Sequence, residues 1–496
     1  IFDDDPAPFS DRIKRIVEHP SFRNLNQTLQ LDLVNTIYPT ATHTRFEHSI
    51  GTYHNCIRYI QSLYNDPYNP LFKQLCNEPD LKAILLCSLL HDLGHIPFAH
   101  NFDEIFMELK HEKISIELLK KEVTSLTDGV FTLEKLIEKD WGKDIPNLIR
   151  DVFEDNKDKK KSIKLQVLHS IIDGPLDVDK LDYLRRDSKN CNLKYGDIID
   201  LDRLIRNLTV IIHNNNGENE FSIGVYEKGQ YPAETFAFSR YLLYNTVYYH
   251  HTTRSFRRMI DEIILNAKRN YDKKKQKTDP ENLQTKLKGV IERNQLNIDS
   301  LLKLLSQYCD EIGQSLILKI KNREYYKRIH TIHYVKGDEL YEKLMRYQGD
   351  WEKLKIIEEN LEKKLYTAYQ TKIMSKSFTP DTLSPEDLRK TIKERSEKKI
   401  PQKPFLIDIP KLMKGSKSLI RLMPEPQRNL NDYKEIQKIG KKVSDVYSGI
   451  YNNLMEFTVK IRLYCDSTFA NSLRIIIGTK DIKDYLAESI EIINQI

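Results

Sequence analysis

The chain has 496 residues, 40% hydrophobic and 30% charged, which is enough for a large buried core and more than one domain. Its 78 basic and 72 acidic side chains leave a formal charge of only +6. This mild balance suits an anionic ligand, whereas a dedicated nucleic-acid binder would be expected to show a clustered basic face, so nucleic acid is not indicated as a partner.

Membrane and secretory classes are also disfavoured. No apolar run approaches the roughly 20 residues of a transmembrane helix, and the acidic start IFDDDPAP does not resemble a signal peptide. The six cysteines contain no CxxC pair, so reduced thiols in a cytosolic protein are the simplest interpretation. We therefore expect a cytoplasmic protein without membrane contact.

The first strongly patterned element is an apolar helix predicted over Asp80–Leu93. Leucine and isoleucine cover nearly all of its faces, and Gly94 and Pro97 follow as stop signals. His91 and Asp92 therefore lie at the C-terminal end of a buried helix. Polar groups are costly to bury there without partners, and a metal ion would be a partner for both.

A second helix is predicted within the sequence DGPLDVDKLDYLRRD. Five of its residues follow the spacing of one helical face, which is polar except for a tyrosine ring, as the wall of an active site would be. These residues are Asp179, Lys180, Tyr183, Arg186 and Asp187.

Two histidines and two aspartates form a ligand set for one divalent cation. They are His48 in THTRFEHSIG, the pair His91 and Asp92, and Asp179. A lone HD pair often occurs by chance. In the full set, however, the two negative charges of the carboxylates also balance the two positive charges of the ion. Such an ion lowers the pKa of bound water or polarises a phosphoryl oxygen, and two imidazoles favour Fe, Mn, Ni or Zn over Mg²⁺. The H…HD…D pattern predicts a metal-dependent phosphohydrolase.

The first two-thirds of the chain is otherwise predicted to be helical, with one interruption. Residues 208–225, LTVIIHNNNGENEFSIGV, hold two β-rich runs around an Asn/Gly-rich turn and predict a hairpin. Helix is expected over Phe236–Ala267, then an exposed lysine-rich loop at Tyr271–Lys286, with contact to polyanions as its less favoured alternative. Helices follow at Ile298–Leu318 and Trp351–Ile373. An apolar stripe on the last helix predicts a packing face, at Trp351, Leu354, Ile357, Leu361 and Leu365.

A domain boundary is predicted at Phe378–Lys403, which contains three prolines and many charges. Beyond it, the β-prone runs PFLIDIP, SLIRLM and VKIRLYCDS and a closing helix at Asp481–Ile493 indicate a small mixed α/β region. We expect a catalytic core at 1–267, a helical extension with charged linkers at 268–400, and an α/β lobe at 401–496. The predicted class is mainly α, with a short β-hairpin and this C-terminal region.

Four motifs together resemble a known family. RFEHS, HDLGHIPFAHNFDE, HEKIS and DVDKLDYLRRD are similar to motifs of the HD-domain deoxynucleoside triphosphate (dNTP) triphosphohydrolases, which include bacterial dGTPases and a vertebrate antiviral enzyme. The resemblance covers roughly Phe22 to His251, with a weaker similarity at Ile461–Cys465. It implies an all-α HD-domain core, one catalytic metal, and conversion of a dNTP into a deoxynucleoside and intact triphosphate.

The resemblance also implies residues that support catalysis and bind phosphate. A carboxylate beside an imidazole fixes its tautomer and raises its basicity, which suits proton transfer at the α-phosphorus or the departing 5′-oxygen. The matching catalytic residues are His95, Asp103 and His111, with His100 beside the substrate, and which of them is the acid stays open.

A triphosphate carries several negative charges and needs fixed cations. The candidates are Arg45, Lys180 and Arg240, because guanidinium groups contact phosphate oxygens in a bidentate manner and lysine acts as a point charge. Arg45 and Lys180 flank expected metal ligands, whereas Arg240 is assigned by its position in SRYLLYNTVYYH.

Sugar recognition is a further implication of the resemblance. Gln30 and Asp187 match residues that share the deoxyribose 3′-hydroxyl, and Tyr183 matches a ring that packs where a ribose 2′-hydroxyl would lie. A ring there would exclude ribonucleotides sterically. Tyr248 keeps a tyrosine of the family at a base-facing position.

Two departures from the family limit these implications. Asn24 and Asn26 replace arginines, one of which belongs to a guanine-nucleotide activator site in the family enzyme. Tyr244 and Tyr249 replace a histidine and a glutamine at base-facing positions. Neither the activating nucleotide nor the base preference is therefore carried over.

The expected function is hydrolysis of a dNTP, in nucleotide-pool control or in antiviral or anti-phage defence. A second ion, Mg²⁺ on the triphosphate, is compatible with it, and the family implies a homo-oligomer (dimer, tetramer or hexamer) that in some members binds a nucleotide activator. Two alternatives stay open. One is another HD phosphohydrolase, acting on nucleoside monophosphates, cyclic nucleotides or (p)ppGpp, and the other is a non-enzymatic nucleotide sensor or nucleic-acid binder.

Overall fold

The computed structural model of the chain is mainly α-helical with short strands, and this confirms the expected class. It describes residues 10–106, 111–125, 129–153, 162–215, 218–275, 283–293, 297–374, 403–411, 420–424, 444–445, 458–477 and 479–492. The described residues pack into two compact units, each built from separate stretches of chain. Unit 1 draws on Ile1–Tyr244, Gln284–Ile298 and Met413–Leu454, and unit 2 on Asn245–Leu283, Asp299–Leu412 and Met455–Ile496. This grouping follows packing, whereas the three parts expected from the sequence follow chain order.

Unit 1 contains the first part of the helical framework. Its helices are α1 (Asp11–Glu18), α2 (Pro20–Arg23), α3 (Arg45–Tyr64), α4 (Leu71–Leu75), α5 (Glu78–Leu90), α6 (Ala99–Ile105), α7 (His111–Lys120), α8 (Leu133–Trp141), α9 (Ile145–Phe153), α10 (Ile163–Ile172), α11 (Val178–Asn190), α12 (Leu201–Arg206), α13 (Gln230–Leu243) and, apart from its first residue, α15 (Leu283–Arg293). Its strands are β1 (Val123–Ser125), β2 (Gly129–Phe131), β3 (Leu208–Asn215), β4 (Glu218–Tyr226), β7 (Arg421–Met423) and β8 (Ser444–Asp445).

Unit 2 combines helices with one three-stranded sheet. Its helices are α14 (His251–Lys275), α16 (Ile298–Ser306, apart from its first residue), α17 (Glu311–Lys321), α18 (Glu339–Met345), α19 (Trp351–Met374), α20 (Ser467–Ile476) and α21 (Thr479–Glu491). Its strands are β5 (Lys327–Ile332), β6 (Phe405–Asp408) and β9 (Ile461–Cys465), in the antiparallel order β5-β9-β6.

The central helix α5 forms where the sequence indicated. Asn77 caps its N-terminus in a reciprocal capping box with Asp80, whose carboxylate accepts from the Asn77 amide at 2.9 Å. Its apolar residues are buried on nearly all sides, as expected for an interior helix. The helix ends at Leu90 rather than at the expected Leu93, because the chain there tightens into a turn that carries His91 and Asp92.

Helices α3 and α11 pack against each other, and a glycine allows their close approach. A side chain at Gly51 of α3 would overlap the Asp182 carboxylate and the Arg186 guanidinium of α11. Glycine has no side chain, so the two backbones can lie close together. The first turn of α11, with Asp179, is thereby held next to His48 of α3.

The hairpin expected at residues 208–225 is confirmed. β3 and β4 pair antiparallel, with Leu208 opposite Val225 and Asn215 opposite Glu218. β7 then pairs parallel with β4, with Val225 opposite Leu422, and the sheet order is β3-β4-β7-β8. α10 packs against β4, so one face of this sheet contributes to the core of unit 1.

Two expectations for the middle of the chain were partly wrong. The helix expected over Phe236–Ala267 is interrupted, because a π-helical turn at Tyr244–Tyr248 separates α13 from α14. The loop expected at Tyr271–Lys286 is helical at both ends, since α14 extends into it and α15 begins before its end. Residues 276–282 between them lie outside the described residues.

Other local features were not expected. The helix expected at Ile298–Leu318 is split into α16 and α17, because Asp310 caps a new helix by accepting from the Ile312 amide at 2.9 Å. A second hairpin, β1–β2, is too short to show a period in the sequence. β5 is a charged edge strand, which a pattern of alternating apolar residues does not reveal.

The C-terminal expectations are largely confirmed. β6, β7 and β9 form in the three β-prone runs, and α21 matches the closing helix within two residues at each end. The stripe on α19 packs into the core of unit 2, with Leu354, Ile357, Leu361 and Leu365 at most 2% exposed and Trp351 half-buried. Apart from Lys403, the boundary expected at Phe378–Lys403 lies outside the described residues.

All six cysteines are buried free thiols. Burial raises the pKa of Cys56 to about 12, so this thiol is poorly reactive at neutral pH. Among the described helices, none is both long and apolar enough to cross a membrane.

A buried ion-pair cluster in unit 2 predicts a loss of stability in acid. Burial alone would raise the pKa of Glu262, but Lys403, Arg258 and Arg269 lower it to about 2. A carboxylate whose pKa is lower in the folded state stabilises that state above its unfolded pKa, and this contribution is lost as the pH falls toward the folded pKa. We expect the unfolding free energy to fall by on the order of 3 kcal/mol between about pH 4.5 and pH 2 through this group.

The test compares the native protein with Glu262→Gln in urea unfolding at several pH values. The variant should be less stable at pH 7 and approach the native protein near pH 2. Replacing the exposed Glu352 in the same way is the matched control. A difference in stability between Glu262→Gln and native protein that stays constant over this pH range would contradict the assignment.

Candidate metal centre and its surroundings

Three of the expected metal ligands converge in unit 1. His48 comes from α3, His91 from the end of α5 and Asp179 from the first turn of α11, and their ligand atoms all lie within 4.8 Å of one another. His48 Nε2 lies 2.9 Å from Asp179 Oδ1 and 3.2 Å from His91 Nε2. His91 Nε2 lies 3.7 Å from the same carboxylate oxygen.

The other nitrogen of each histidine ring has a protein partner. His48 Nδ1 lies 2.8 Å from Asp182 Oδ2, and His91 Nδ1 lies 3.0 Å from the carbonyl oxygen of Ser88. These contacts fix each ring so that its Nε2 faces the common point, as metal-binding histidines require. The donor set of two imidazoles and a carboxylate therefore fits a transition-metal ion.

The fourth expected ligand, Asp92, lies at the edge of this group. Its Oδ2 is 3.7 Å from His48 Nε2, and its Oδ1 is 3.5 Å from His91 Nε2. Burial would raise the pKa of Asp92, but the Arg45 guanidinium and the neighbouring histidines hold it well below its usual range. Asp92 is therefore ionised, and Arg45 is its 2.7 Å partner.

A second layer behind His48 was not assigned from the sequence. Asp182 contacts His48, and Arg186 donates from Nε to Asp182 Oδ2 at 2.7 Å and from Nη2 to Oδ1 at 2.9 Å. Arg186 was expected on the wall of the site, but it is almost fully buried and bonds to this carboxylate. The signal in the sequence was the spacing of Asp182, three residues after Asp179 on the same helix.

Removing the charge of Asp182 should weaken metal binding. Asp182→Asn keeps the size of the side chain but takes the carboxylate away from His48 Nδ1, so the ring is less basic and less firmly oriented. Loss of such a partner typically costs about 10- to 100-fold in metal affinity. Competition with a chromophoric chelator measures it, with the exposed Asp197→Asn as control. Equal affinity in Asp182→Asn and native protein would contradict this role.

Three histidines and an aspartate form a cluster beside the metal ligands. His95 Nδ1 lies 3.0 Å from Asp92 Oδ1, and the His95 ring centre lies 4.0 Å from that of His111. His111 Nδ1 lies 2.8 Å from Asp103 Oδ2. His100 is more exposed, and its ring centre lies 5.6 Å from that of His95. The structure thus brings the four residues together in one place.

The surroundings of His95 decide the charge of its ring. Burial and the Arg45 guanidinium hold the pKa of His95 well below its usual range, so its ring is neutral at pH 7. A neutral imidazole can accept a proton or donate a hydrogen bond, but it cannot supply the proton of an imidazolium. His111 has a different partner, since its Nδ1 faces the Asp103 carboxylate.

Backbone strain occurs next to this cluster. Phe98, just before α6, and Asp32 both have left-handed backbones, with φ of 60° and 46°. Residues other than glycine rarely adopt this backbone conformation. The two residues are joined by a hydrogen bond of 3.0 Å from the Phe98 amide to Asp32 Oδ1. This contact holds the loop between His95 and His100 to the segment that carries Gln30.

The expected phosphate-binding cations have partners in unit 1. Lys180 Nζ donates to Asp177 and lies 4.0 Å from Asp173. Burial would lower the pKa of Lys180, but Asp177 raises it, while the nearby charge of Arg240 acts in the opposite direction. Arg240 is buried, and its guanidinium lies 5.8 Å from the centre of the Tyr244 ring. Lys180 and Arg240 are thus close enough to influence each other.

The residues expected to read the sugar occupy neighbouring positions. Asp187 and Tyr183 lie one turn apart on α11, with Asp187 buried and Tyr183 half-buried. Gln30 is linked to Asp187 through His43, a residue that no sequence motif pointed to. Tyr248 belongs to unit 2, and its contact with the base stays a prediction.

Comparisons with known proteins agree with the geometry. Residues 45–187 match the HD domain, and residues 199–364 match the HD associated region. The uncharacterized protein YwfO of Bacillus subtilis is 29% identical over 253 residues, which are 51% of this chain and 51% of that protein. The deoxynucleoside triphosphate triphosphohydrolase SAMHD1 homolog of Dictyostelium discoideum is 26% identical over 338 residues, 65% of this chain and 58% of that protein.

The chain thus spans little more than half the length of these relatives. A crystal structure of a phosphohydrolase from Bacteroides thetaiotaomicron superposes with a TM-score of 0.55 and 21% sequence identity, over 93% of this chain and 97% of that chain. This likeness shows a shared fold. The matches confirm the resemblance to HD-domain dNTP triphosphohydrolases that the four sequence motifs indicated.

Proposed function

The chain contains an HD domain followed by an HD-associated region, and we propose that it is a metal-dependent dNTP triphosphohydrolase. The observation that carries the proposal is the arrangement of His48, His91 and Asp179 beside the pair of His111 and Asp103. A metal ion held by the first group would supply charge stabilisation and a water of lowered pKa. The second group lies where a proton can be moved on a bound substrate.

The reaction requires one water and one substrate. Water attacks the α-phosphorus and gives up one proton, the bond from that phosphorus to the 5′-oxygen breaks, and the 5′-oxygen gains one proton, giving a deoxynucleoside and inorganic triphosphate. We assign the proton at the 5′-oxygen to His111, with Asp103 holding its ring, and a hydrogen bond to the α-phosphate to His95. Lys180, Arg240 and Arg45 would balance the negative charge of the triphosphate, with His100 at the edge of the site.

The ligands and the assembly are part of the same proposal. The metal would be Fe, Mn, Ni or Zn, held by His48, His91, Asp92 and Asp179, with Mg²⁺ bound through the triphosphate. The relatives described as dNTP triphosphohydrolases support dNTPs as the substrate class. A homo-oligomer and a nucleotide activator are proposed on the family resemblance alone.

The proposal is tested by incubating the protein with each dNTP in Mn²⁺ or Mg²⁺ and separating the products. Release of inorganic triphosphate is the expected result. Release of monophosphate and pyrophosphate, or of orthophosphate, would replace the proposal by another HD phosphohydrolase activity. Salt-sensitive binding of RNA or DNA without any phosphate release would favour a nucleic-acid-binding protein.

Sugar selection gives a sharper prediction. If Tyr183 occupies the space of a 2′-hydroxyl and Gln30 with Asp187 binds the 3′-hydroxyl, dNTPs should be hydrolysed and the matching ribonucleotides nearly ignored. Loss of a partner to a substrate hydroxyl costs about 1–3 kcal/mol, so Gln30→Ala should lower dNTP turnover by roughly 10- to 100-fold. Metal content should not change. Equal hydrolysis of ATP and dATP by the native protein would refute the assignment of these residues to sugar recognition.

A further inference from the structure

A buried histidine connects two segments that would both face the sugar. Residues 28–30 and 43–45 pair like short antiparallel strands, through an isolated bridge between Leu29 and Thr44. The backbone N–H of Gln30 donates to the backbone carbonyl of His43 at 3.0 Å, and the backbone N–H of Arg45 donates to the carbonyl of Thr28 at 2.9 Å. The position of Gln30 therefore depends directly on the backbone of His43.

The side chain of His43 reaches in the other direction, to α11. Its ring is buried, with 1% of the side chain exposed, and its Nε2 lies 2.7 Å from Asp187 Oδ1. Asp187 is also almost fully buried, and a carboxylate in such a place needs a hydrogen-bonding partner. His43 thus holds one oxygen of Asp187, while its own backbone holds Gln30.

Two polar atoms in this arrangement are buried without a partner, and one of them, Gln30 Oε1, points to a ligand. Within the described part of the chain, Gln30 Oε1 and His43 Nδ1 have no hydrogen-bond partner, although both are inaccessible to solvent. Leaving such an atom unsatisfied costs about 1–3 kcal/mol, so a buried orphan needs an explanation. A bound hydroxyl group, which both donates and accepts, would satisfy an orphaned amide oxygen.

We propose that His43 is a positioning residue that sets recognition of the substrate's 3′-hydroxyl by holding Asp187 and Gln30 in register. His43 donates from Nε2 to Asp187 Oδ1, and its backbone carbonyl accepts from the Gln30 backbone N–H, so one residue holds both side chains that would contact the hydroxyl. His43 does not take part in bond breaking. This inference rests on the proposed function, because it uses a deoxynucleotide as the substrate.

The test measures discrimination between a dNTP and the matching 2′,3′-dideoxynucleotide, which lacks only the 3′-hydroxyl. The native protein should prefer the dNTP in kcat/KM by about 10- to 100-fold. In His43→Ala this ratio should fall close to one, because the dNTP loses most of its advantage while the dideoxynucleotide loses much less. His43→Gln should recover much of the ratio, because its amide nitrogen can donate to Asp187 from a similar position.

The outcomes separate the role of His43 from that of a purely structural residue. Metal content and thermal midpoint are measured on each variant. An equal loss on both substrates, with the ratio unchanged in His43→Ala, would overturn the proposal. If His43→Ala does not fold, His43→Asn, which is shorter, should still lose the ratio, and an unchanged ratio there would overturn the proposal as well. A native protein that releases no triphosphate from any dNTP would instead refute the proposed function itself, and with it this inference.

Discussion

Asp179→Ala is expected to lower turnover by a factor on the order of a thousand or more, equivalent to about 4 kcal/mol in the activation free energy. Asp179 is the carboxylate in the group of three candidate metal ligands with His48 and His91, and its Oδ1 lies 2.9 Å from His48 Nε2. Without it, two imidazoles remain with Asp92, which already pairs with Arg45. Metal content by elemental analysis should therefore fall together with the activity.

The matched control for this variant is Asp197→Ala. Asp197 is an exposed aspartate in the same unit, and its side chain forms a surface ion pair with Lys194 at 3.6 Å. A surface ion pair contributes little, so the control should keep both metal and activity. Near-normal turnover in Asp179→Ala would remove the basis of the metal assignment.

His111→Ala is expected to lower kcat by about 100- to 10,000-fold, the usual contribution of a positioned general acid or base. Metal content should stay normal, because the ring lies beside the ligand group and contacts Asp103. Asp103→Asn should give a smaller decrease, since the histidine remains but its orientation is less fixed. This contrast with Asp179→Ala separates the loss of proton transfer from the loss of the ion.

The nature of the leaving group tests the role of His111 more directly. Bis(p-nitrophenyl) phosphate releases p-nitrophenolate, which departs without needing a proton. If His111 protonates the 5′-oxygen, His111→Ala should affect this substrate much less than a dNTP. A similar decrease on both substrates would assign the proton to another group, with His95 as the next candidate.

The candidate metal ligands could be predicted from the sequence because each of them lies in a short local motif. His48, His91 and Asp179 are separated widely along the chain, yet each motif names its ligand without knowledge of the fold. The capped start of α5 and the hairpin β3–β4 were likewise predictable, since capping and alternation are local properties.

The residues that hold the site residues in place could not be predicted, because their contacts form only after the helices have packed. The spacing of Asp182 places it on the same side of α11 as Asp179, but its contact with His48, and that of Arg186 with Asp182, depends on the approach of α11 to α3 at Gly51. Nothing in the sequence around His43 indicates its contact with Asp187, which is far away along the chain. The end of α5 at Leu90 was missed for a similar reason, since tertiary contacts of the His91 and Asp92 turn decide it.

The parallel pairing of β7 with β4 has a consequence for synthesis of the chain. All four expected metal ligands precede the hairpin, but β7, the strand that pairs with the end of β4, lies about 200 residues further along. At about 5–20 residues per second, a ribosome needs roughly 10 to 40 seconds to make that stretch. During this interval the end of β4, at Val225 and Tyr226, lacks the strand that pairs with it, and an unpaired strand edge can pair with other chains. A fragment ending before Ile420 would keep every metal ligand and retain that aggregation-prone edge permanently.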